Sequence, residues 1–440
     1  MKFSLKHRPP YWTAAADSGP DRDGLQSVPA RPRRMREANS QELLRLLRLQ
    51  TPCSRADLVR TSGLTAPTVS AAIESLHRRG LVRFLGAGES SGGRPPHLME
   101  FNAAHGYVFG ADIGGSAVRV ALADLSGMII GRWRTSVKAG RSPDAIVQAI
   151  ATGIEFLRSE YQIAPKKMLE LAVGAPGITN AQAGRVLSAP NLNGWQDVPL
   201  RDLLQAKTGL ATTVENDVNL AALGESWCGA AKGVHNFVFL AIGTGVGAGI
   251  FINGHLHHGA DWSAGEVGYL MISGLPSGPL AVDHPGALEN VIGGMGIEAA
   301  WQASRKNGGR PPCATEIFDR AAAGDADAAR ILAHTAEHLA TAIVNMGLVL
   351  DMSLVVLGGG VGNHRGLQEA TAAVLAKNQF ARPKLMVSSL SGDAQVQGAV
   401  WLALQAAEVH GFRPLSRARK RQSSAKPKVR ARFAGQGARN

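Results

Sequence analysis

Cysteine is scarce in this chain, and long apolar runs are missing. Three cysteines occur among 440 residues, at Cys53, Cys228 and Cys313. Their wide spacing excludes a disulfide framework or a cysteine-type metal knuckle and favours a reducing cytosol. No segment of the polar N-terminal region resembles a signal peptide. A long uncharged stretch, 236–256, is broken repeatedly by glycine, which suits strands and turns better than a membrane helix. We therefore expect a cytoplasmic protein without a membrane partner.

Acidic residues are few at the two ends, so the net charge of +13 is unevenly spread. Residues 1–38 hold eight Lys and Arg against four acids, and 411–440 hold ten against none. Residues 102–410 hold 21 against 25, which makes this large body slightly acidic. The pattern indicates a domain that binds a small molecule, joined to basic segments that bind an anionic partner. Alternatively, the basic ends only aid solubility. We predict that both ends, 1–38 and 411–440, are disordered.

Residues 39–101 show the pattern of a winged helix-turn-helix domain. After a first leucine-rich helix, Ser54 is placed to cap a short helix over 55–62. A glycine permits a tight turn, and Thr65 is placed to cap the next helix. A strand then begins at "LVRFL", and residues 86–97 are interpreted as a wing and hinge. This order of elements indicates DNA binding.

Strands and helices alternate from residue 102 to about residue 410, a length that suits two lobes with a cleft between them. Three glycine-rich turns follow apolar strands in this body. They contain Asp112, Gly114 and Gly115; Gly243, Thr244 and Gly245; and Gly358 and Gly359. Backbone N–H groups in such turns can approach a phosphate, although a single hairpin turn without a ligand would look the same. Three of them around one α/β cleft are typical of the actin-like ATPase fold.

The stretch "VENDVNLAALGE", 214–225, places an acid where a strand turns into a helix. Asp217 is a candidate catalytic base, a ligand contact or merely a helix N-cap. The local sequence leaves these three roles open.

Five stretches in order resemble the Repressor–ORF–Kinase (ROK) family, in its branch of sugar-responsive transcriptional regulators. They are "DIGGSAVRVALAD"; "GAPGIT" with "SAPNLNGWQDVPL"; "VENDVNLAALGE"; "GTGVGAGI" followed by "GADWSAGEVG"; and "GGGV". A "GGRPP" junction precedes them, and the resemblance covers about 39–408. It implies a two-lobed, actin-like sugar-kinase fold, 102–410, behind the winged helix-turn-helix domain.

The resemblance also implies ligand contacts. In ROK sugar kinases the acid at the position of Asp217 is the general base for the sugar hydroxyl. The implied sugar contacts are Gly177, Asn216, Asp217, Glu266, Tyr269 and Glu289. The three glycine-rich turns supply the implied nucleotide and phosphate contacts. Several ionised acceptors that converge on a polyol would each form a charge-assisted hydrogen bond.

Two departures from the family pattern concern metal. Tyr269 stands where the family has a His that contacts both sugar and zinc, and Ala287 stands where the last Cys of a zinc knuckle belongs. Asp283 and His284 are nearby, but two ligands on one short loop are too few for tetrahedral zinc. We predict no structural zinc, with the loop held instead by Leu280, Val282 and Leu288. No cofactor is expected to be required, and ATP with Mg²⁺ would be needed only if kinase activity is retained.

The start of the helix after Thr65 carries small side chains that fit the major groove. The predicted DNA contacts are Thr65, Pro67, Thr68 and Ser70 in the groove and Arg55, Arg78 and Arg79 on phosphates. Arg94 of "GGRPP" is interpreted either as a minor-groove hook or as an exposed Arg in a hinge.

The favoured function is a DNA-binding transcriptional regulator of sugar metabolism, with repression as the expected mode. We expect a monosaccharide or amino-sugar effector in the cleft and a homodimer or homotetramer on operator DNA, associated with the nucleoid when bound. One alternative is an ATP-dependent sugar kinase fused to a DNA-binding domain. Another is a non-specific nucleoid protein, which leaves the cleft unexplained. Translation could begin at Met1 or at Met35.

Overall fold

The computed structural model describes residues 32–88, 95–137, 141–189, 192, 194–275, 284–304 and 311–413. Its first part contains the helices α1 (Pro32–Leu49), α2 (Arg55–Ser62) and α3 (Ala66–Arg78). A small antiparallel sheet packs beside them, in the order β1-β3-β2, with β1 (Cys53–Ser54), β2 (Val82–Ala87) and β3 (His97–Phe101). The arrangement is helix, helix, turn, helix and a two-stranded wing.

Local hydrogen bonds define the two short helices, and both predicted caps are confirmed. The Ser54 hydroxyl accepts a hydrogen bond from the Asp57 amide, and the Asp57 side chain accepts one from the Ser54 amide. Thr65 caps α3 by accepting from the Thr68 amide. Gly63 ends α2 in the left-handed conformation, at φ 70°, which allows the tight turn between the helices.

The helix α1 begins earlier than the sequence predicted. Residues 32–38, assigned to a disordered extension, are helical, so that prediction is wrong for this segment. The physical reason is that helix formation is cooperative, so a helix whose later turns are held by packing extends readily toward its N-terminus. Leu43 and Leu47 are fully buried, and a proline at the first helical position is compatible with helix. Residues 1–31 lie outside the described part of the chain.

The first lobe of the body is built on a five-stranded sheet with the order β11-β7-β4-β5-β6. Its strands are β4 (Tyr107–Ile113), β5 (Ala117–Asp124), β6 (Ile129–Ser136), β7 (Met168–Ala175) and β11 (Ala211–Asn216). A separate antiparallel sheet joins β8 (Ile178–Asn180), β9 (Arg185–Ser188) and β10 (Gln196–Val198). The helices of this lobe are α4 (Pro143–Glu160) and α5 (Leu200–Thr208). Strands β4, β7 and β11 are parallel, so their carboxyl ends meet at one edge.

The second lobe repeats the plan with the sheet order β14-β13-β12-β15-β16. Its strands are β12 (Phe237–Ile242), β13 (Val246–Ile252), β14 (His255–Leu256), β15 (Leu354–Gly358) and β16 (Lys384–Val387). Its helices are α7 (Glu289–Ile292), α8 (Gly294–Ser304), α9 (Ala314–Ala322), α10 (Ala326–Leu350), α11 (Gly359–Gly362) and α12 (Arg365–Leu375). Buried side chains of α8, α9 and α10 form one core with this sheet.

Two helices, α6 (Asp217–Cys228) and α13 (Ala394–Val409), lie between the sheets. Helix α13 packs on β4 and β7 of the first lobe, and α6 packs on β12 and β13 of the second. They cross very closely, because a Cβ on Gly398 would lie 1.8 Å from the Leu220 carbonyl oxygen and one on Gly224 would lie 2.4 Å from that of Ala394. A side chain at either glycine would force the helices apart. The contact between lobes is therefore rigid here.

The C-terminal end of the body also departs from prediction. The sequence predicts a disordered basic tail from residue 411, but Phe412 is 3% exposed and belongs to the core that the N-terminal helices share with α13. The Arg48 guanidinium lies 5.1 Å from the Phe412 ring centroid, and Arg48 Nη1 donates to Glu408 Oε2 at 3.2 Å. An aromatic side chain that finds such a pocket gains more from burial than the ordering of a few residues costs. Residues 414–440 lie outside the described part. Within it, a search for helices suited to crossing a bilayer finds none.

Candidate functional site

A row of polar positions crosses the carboxyl ends of the parallel strands in the first lobe. Asp112 at the end of β4 is in register with Gly174 of β7, and Gly174 is in register with Glu215 of β11. Ligands of open α/β sheets bind beyond these strand ends. Asp112 and Glu215 are 1% and 4% exposed. The candidate site is thus a cleft edge with two buried carboxyl groups.

The N-cap of α6 is Asn216, one residue before Asp217. The Asn216 side-chain oxygen accepts from the amides of Val218 and Asn219, at 2.9 and 3.0 Å. The side-chain nitrogen of Asn216 donates to the Gly177 carbonyl at 2.9 Å. The capping role that the sequence left open for Asp217 therefore belongs to Asn216, which uses both ends of its amide to hold the strand-to-helix turn.

Asp217 occupies the first turn of α6 and is partly open to the cleft. Burial raises the pKa of its carboxyl to about 7, helped by the nearby carboxylates of Asp112 and Glu266, while the Val218 amide opposes the shift. A carboxyl group that titrates near neutral pH is suited to accept a proton or a hydrogen bond from a bound hydroxyl.

Gly177 shapes the wall beside Asn216. It has φ +80°, and a Cβ there would lie 2.2 Å from the Ser188 carbonyl oxygen. A side chain would therefore meet both backbone strain and a clash with β9. The glycine allows the β7–β8 turn to run close to the cleft, where its carbonyl receives the Asn216 amide.

Two acids approach the cleft from the second lobe. Glu266 precedes a short 3₁₀ helix, Val267–Tyr269, and Glu289 begins α7. Burial and the carboxylate of Glu289 raise the pKa of Glu266. Glu289 Oε2 accepts from the Val246 amide at 2.9 Å, which fixes this side chain against the start of β13. Tyr269 ends the 3₁₀ helix, where its amide donates to the Glu266 carbonyl at 3.2 Å.

The glycine-rich turns lie at the ends of strands on both sides of the cleft. The Gly243–Gly245 turn joins β12 to β13, with the Gly243 amide donating to the Gly245 carbonyl at 2.9 Å. Thr244 lies at its centre, and the Gly243 carbonyl accepts from the Gly294 amide at 2.8 Å. Gly358 ends β15 and caps α11, which starts at Gly359. The turn that contains Gly114 and Gly115 joins β4 to β5 in the first lobe. Because β12 and β15 are parallel, the turns at Gly243–Gly245 and Gly358–Gly359 lie at the same edge of the second sheet, and the Gly114–Gly115 turn belongs to the first sheet.

Arg119 is a site residue that sequence analysis missed. It faces Asp112 across the β4–β5 hairpin, and its Nε and Nη2 both donate to Asp112 Oδ2, at 3.1 and 2.9 Å. Arg119 also donates to the carbonyl of Gly392, just before α13. Burial raises the pKa of Asp112, and the Arg119 charge opposes this shift. The antiparallel register of the hairpin was the signal for this pair.

A second missed feature joins the two lobes. Glu215 of β11 and His258, in the loop after β14, form an ion pair with Nε2 to Oε2 at 2.8 Å. Glu215 Oε1 accepts from the Asn216 amide and from the Asn219 side chain. The hydrogen bond to Glu215 raises the pKa of His258. This pair is a contact between the lobes directly beside Asn216 and Asp217.

The loop for which the sequence predicts no structural zinc is only partly described. Leu288 is fully buried, whereas Leu280, Val282 and Asp283 lie outside the described residues. His284 and Ala287 are described, and neither belongs to a candidate metal cluster. Across the described ranges no three His, Cys, Asp or Glu side chains lie close enough to hold a metal ion.

The predicted DNA contacts divide into two groups in the structure. Pro67, Ser70 and Arg78 are exposed on α3, and the Thr65 and Thr68 hydroxyls lie 2.9 Å apart at its start. Arg55 instead lies over the Phe84 ring of the wing, 5.2 Å from its centroid. Arg79 Nη2 donates to the Gly411 carbonyl at 3.3 Å, so its head faces the body. Arg94 lies outside the described residues.

Comparison with known proteins identifies the family of this chain and supports its fold. Residues 108–406 match the ROK family model. The chain is 30% identical over 314 residues to a glucokinase of Halalkalibacterium halodurans, covering 67% of this chain and 94% of the relative. It is 28% identical to a xylose repressor of Caldicellulosiruptor bescii, over 80% of this chain and 91% of the relative. A crystal structure of a ROK family transcriptional regulator, described as a homologue of E. coli MLC protein, aligns with a TM-score of 0.72 at 23% identity, over 84% and 96% of the two chains. The predicted two-lobed fold is thereby confirmed.

Proposed function

The chain belongs to the ROK family, and from that premise we propose that it is a sugar-responsive transcriptional repressor. The observation that supports this most is the extent of the likeness to xylose repressors, which reaches 80% of the chain and 91% of the relative. The ROK match by itself spans only 108–406. The α2–α3 pair with its wing lies in front of that span, as a DNA-reading module in front of a sugar cleft would.

The effector in this proposal is a monosaccharide or amino sugar bound between the lobes. Asp217 from the first lobe, with Glu266 and Glu289 from the second, offers carboxylate oxygens to its hydroxyl groups. The Asn216 oxygen is occupied by the cap of α6, so Asn216 offers the second N–H of its side-chain amide. Gly177 lines the wall and Tyr269 adds a hydroxyl. A ligand that contacts both lobes favours the closed arrangement by the difference between its affinities for the two states.

Helices α6 and α13 give a physical route from the cleft to the DNA-binding region. Helix α6 starts at Asp217 and crosses α13 at Gly224 and Gly398. The end of α13 holds α1 through the Glu408–Arg48 ion pair. We propose that sugar-dependent movement of α6 is passed through this rigid crossing, and that two copies of the chain then present α3 to a pseudo-palindromic operator with altered spacing.

The alternative function is an ATP-dependent sugar kinase, which the likeness to a glucokinase favours. The Gly243–Gly245 turn fits a phosphate, and Asp217 fits a general base. The Asp112 carboxylate fits a bound Mg²⁺ poorly, because two donor groups of Arg119 already occupy one of its oxygens. This ion pair favours a cleft that binds sugar without efficient phosphoryl transfer.

A thermal-shift screen tests the proposal. Wild-type protein is heated with single monosaccharides, amino sugars and their phosphates, each with and without Mg-ATP, and DNA retention is measured by gel shift on fragments upstream of sugar-metabolism genes. We expect one sugar class to raise the melting temperature without Mg-ATP and to change DNA retention. Sugar phosphate formed with many turnovers would instead support the kinase, and DNA binding that no sugar alters would contradict the repressor.

A further inference from the structure

A groove lies where the DNA-binding region, the first lobe and the C-terminal segment meet. We call it the junction groove. Its volume is about 480 Å³. The cationic side chains that line it are Arg79, Lys166, Lys167 and Arg413. His105 also lines it, and burial, with the charges of Lys167 and Arg79, lowers the pKa of its imidazole. No acidic residue is among its described lining residues.

The positive charges of the junction groove are held close together without neutralisation. Arg79 donates to the Gly411 carbonyl, and Lys167 Nζ donates to the Ala104 carbonyl at 2.9 Å. None of Arg79, Lys166, Lys167 and Arg413 forms an ion pair with another described residue. Burial and the charge of Arg413 lower the pKa of Arg79. Like charges that are fixed by carbonyls rather than by carboxylates repel one another, and an anionic partner would relieve this repulsion.

The junction groove continues the surface of α3. A groove beside the start of α3 is lined by Pro67, Thr68 and Ser75, and the next is lined by Ser75 and Arg79. The second groove shares Arg79 and Arg413 with the junction groove. Neighbouring grooves therefore lead from Pro67 and Thr68 to the junction groove, and the middle one is also lined by Glu37 and Glu408. Helix α3 has 13 residues, so the helix itself is about 20 Å long.

We infer that the junction groove is a second DNA-contact surface, in which the sugar-binding body itself holds the phosphate backbone that flanks the operator. This inference rests on the proposed DNA binding. The partner is a run of phosphodiesters, because Arg79, the C-cap residue of α3, connects the junction groove to the helix that is proposed to enter the major groove. The body, 102–410, is slightly acidic with 21 Lys and Arg against 25 acids, so cations concentrated beside the DNA-binding region are not a general feature of its surface.

The test compares full-length wild type with the double variant Lys166→Gln, Lys167→Gln. The matched control is Lys377→Gln, Lys384→Gln, which removes the same charge from exposed positions near β16 in the second lobe. Binding to a long mixed-sequence duplex is measured by fluorescence anisotropy over a series of chloride concentrations. Because each phosphate contact contributes about 0.9 to the slope of log K against log salt, the junction variant should lose about 1.8 and the control much less. Melting temperatures of all three proteins should agree.

Three results separate the possibilities. Equal slopes for wild type and the junction variant would overturn the inference while leaving the proposed function intact, since wild type still binds DNA. Stabilisation of wild type by inorganic phosphate that the junction variant loses, with DNA slopes unchanged, would assign the groove to a small anion and also overturn the inference. A wild type that binds no DNA would reject the proposed function and the inference together.

Discussion

Replacing Asp217 with Asn separates the roles that this residue could have. Asn216 caps α6, so the variant keeps its cap. The variant removes a carboxyl whose pKa is raised from 3.8 to about 7. The folded protein therefore binds more protons at this site than the unfolded chain between those two values. Stability falls as pH rises through the window, and the full penalty is present above pH 7.

The magnitude follows from the same shift. Each pKa unit is worth about 1.4 kcal/mol, so complete burial would cost about 4 kcal/mol above pH 7. Because Asp217 is partly open to the cleft, solvent screening reduces this to about 1–3 kcal/mol. The favourable interaction of the Asp217 charge with the amino end of α6 lowers this penalty by about 0.5 kcal/mol. We therefore expect Asp217→Asn to be more stable than wild type at pH 8 and similar near pH 4, as measured by urea unfolding.

Although Asp217→Asn should be more stable at pH 8, it should bind sugar more weakly than wild type. Loss of one charge-assisted hydrogen bond costs about 1.5–3 kcal/mol, or roughly ten- to a hundred-fold in affinity. Since only the ionised carboxyl accepts freely, wild-type affinity should fall about tenfold per pH unit below pH 7, and the variant should lose this dependence. Calorimetry with the sugar found by thermal shift measures both effects.

The control for this experiment is Asp144→Asn, which changes an exposed acid in the first turn of α4 outside the cleft. It should alter neither affinity nor its pH dependence. Unchanged sugar affinity in Asp217→Asn would refute the assignment of Asp217 as a ligand contact. Lower stability of the variant at pH 8 would refute the claim that the ionised carboxyl destabilises the folded protein. Sugar phosphate formed by wild type and lost in the variant, followed by mass spectrometry, would instead identify a catalytic base.

Three further predictions concern metal, the tail and the lobe contact. Purified protein should contain no stoichiometric zinc by elemental analysis, and chelators should not lower its melting temperature; about one zinc per chain would contradict this. Deleting 414–440 should flatten the salt dependence of DNA binding without changing the preferred operator, because cations that meet only phosphates add affinity without reading bases. Deleting 411–440 should in addition destabilise the protein by about 3–5 kcal/mol, through loss of buried Phe412. His258 has a raised pKa through Glu215, so the pair stabilises fully below pH 6.5 and this contribution is lost as pH rises through the folded pKa. His258→Gln should remove that component of the pH–stability curve, and an unaltered curve would show that the pair adds nothing.

The sequence alone was sufficient for features that depend on neighbours in the chain. The Ser54 and Thr65 caps and the Gly63 turn each involve hydrogen bonds or backbone angles within a few residues. Their residue types therefore predict them directly. The five motifs in order likewise predicted the ROK family, which the match over 108–406 confirms, because each motif is a continuous stretch of chain.

The tertiary structure decided which distant groups meet. Arg119 reaches Asp112 through hairpin register, Glu215 meets His258 across the cleft, and Phe412 enters a pocket beside Arg48. Each of these contacts depends on how sheets and helices pack, which local propensity does not encode. The same is true of Asp217, whose pKa is set by burial and by carboxylates from other strands and loops. The sequence predicted an acid at the start of a helix, and the packing of the two lobes determined the pKa of its carboxyl group.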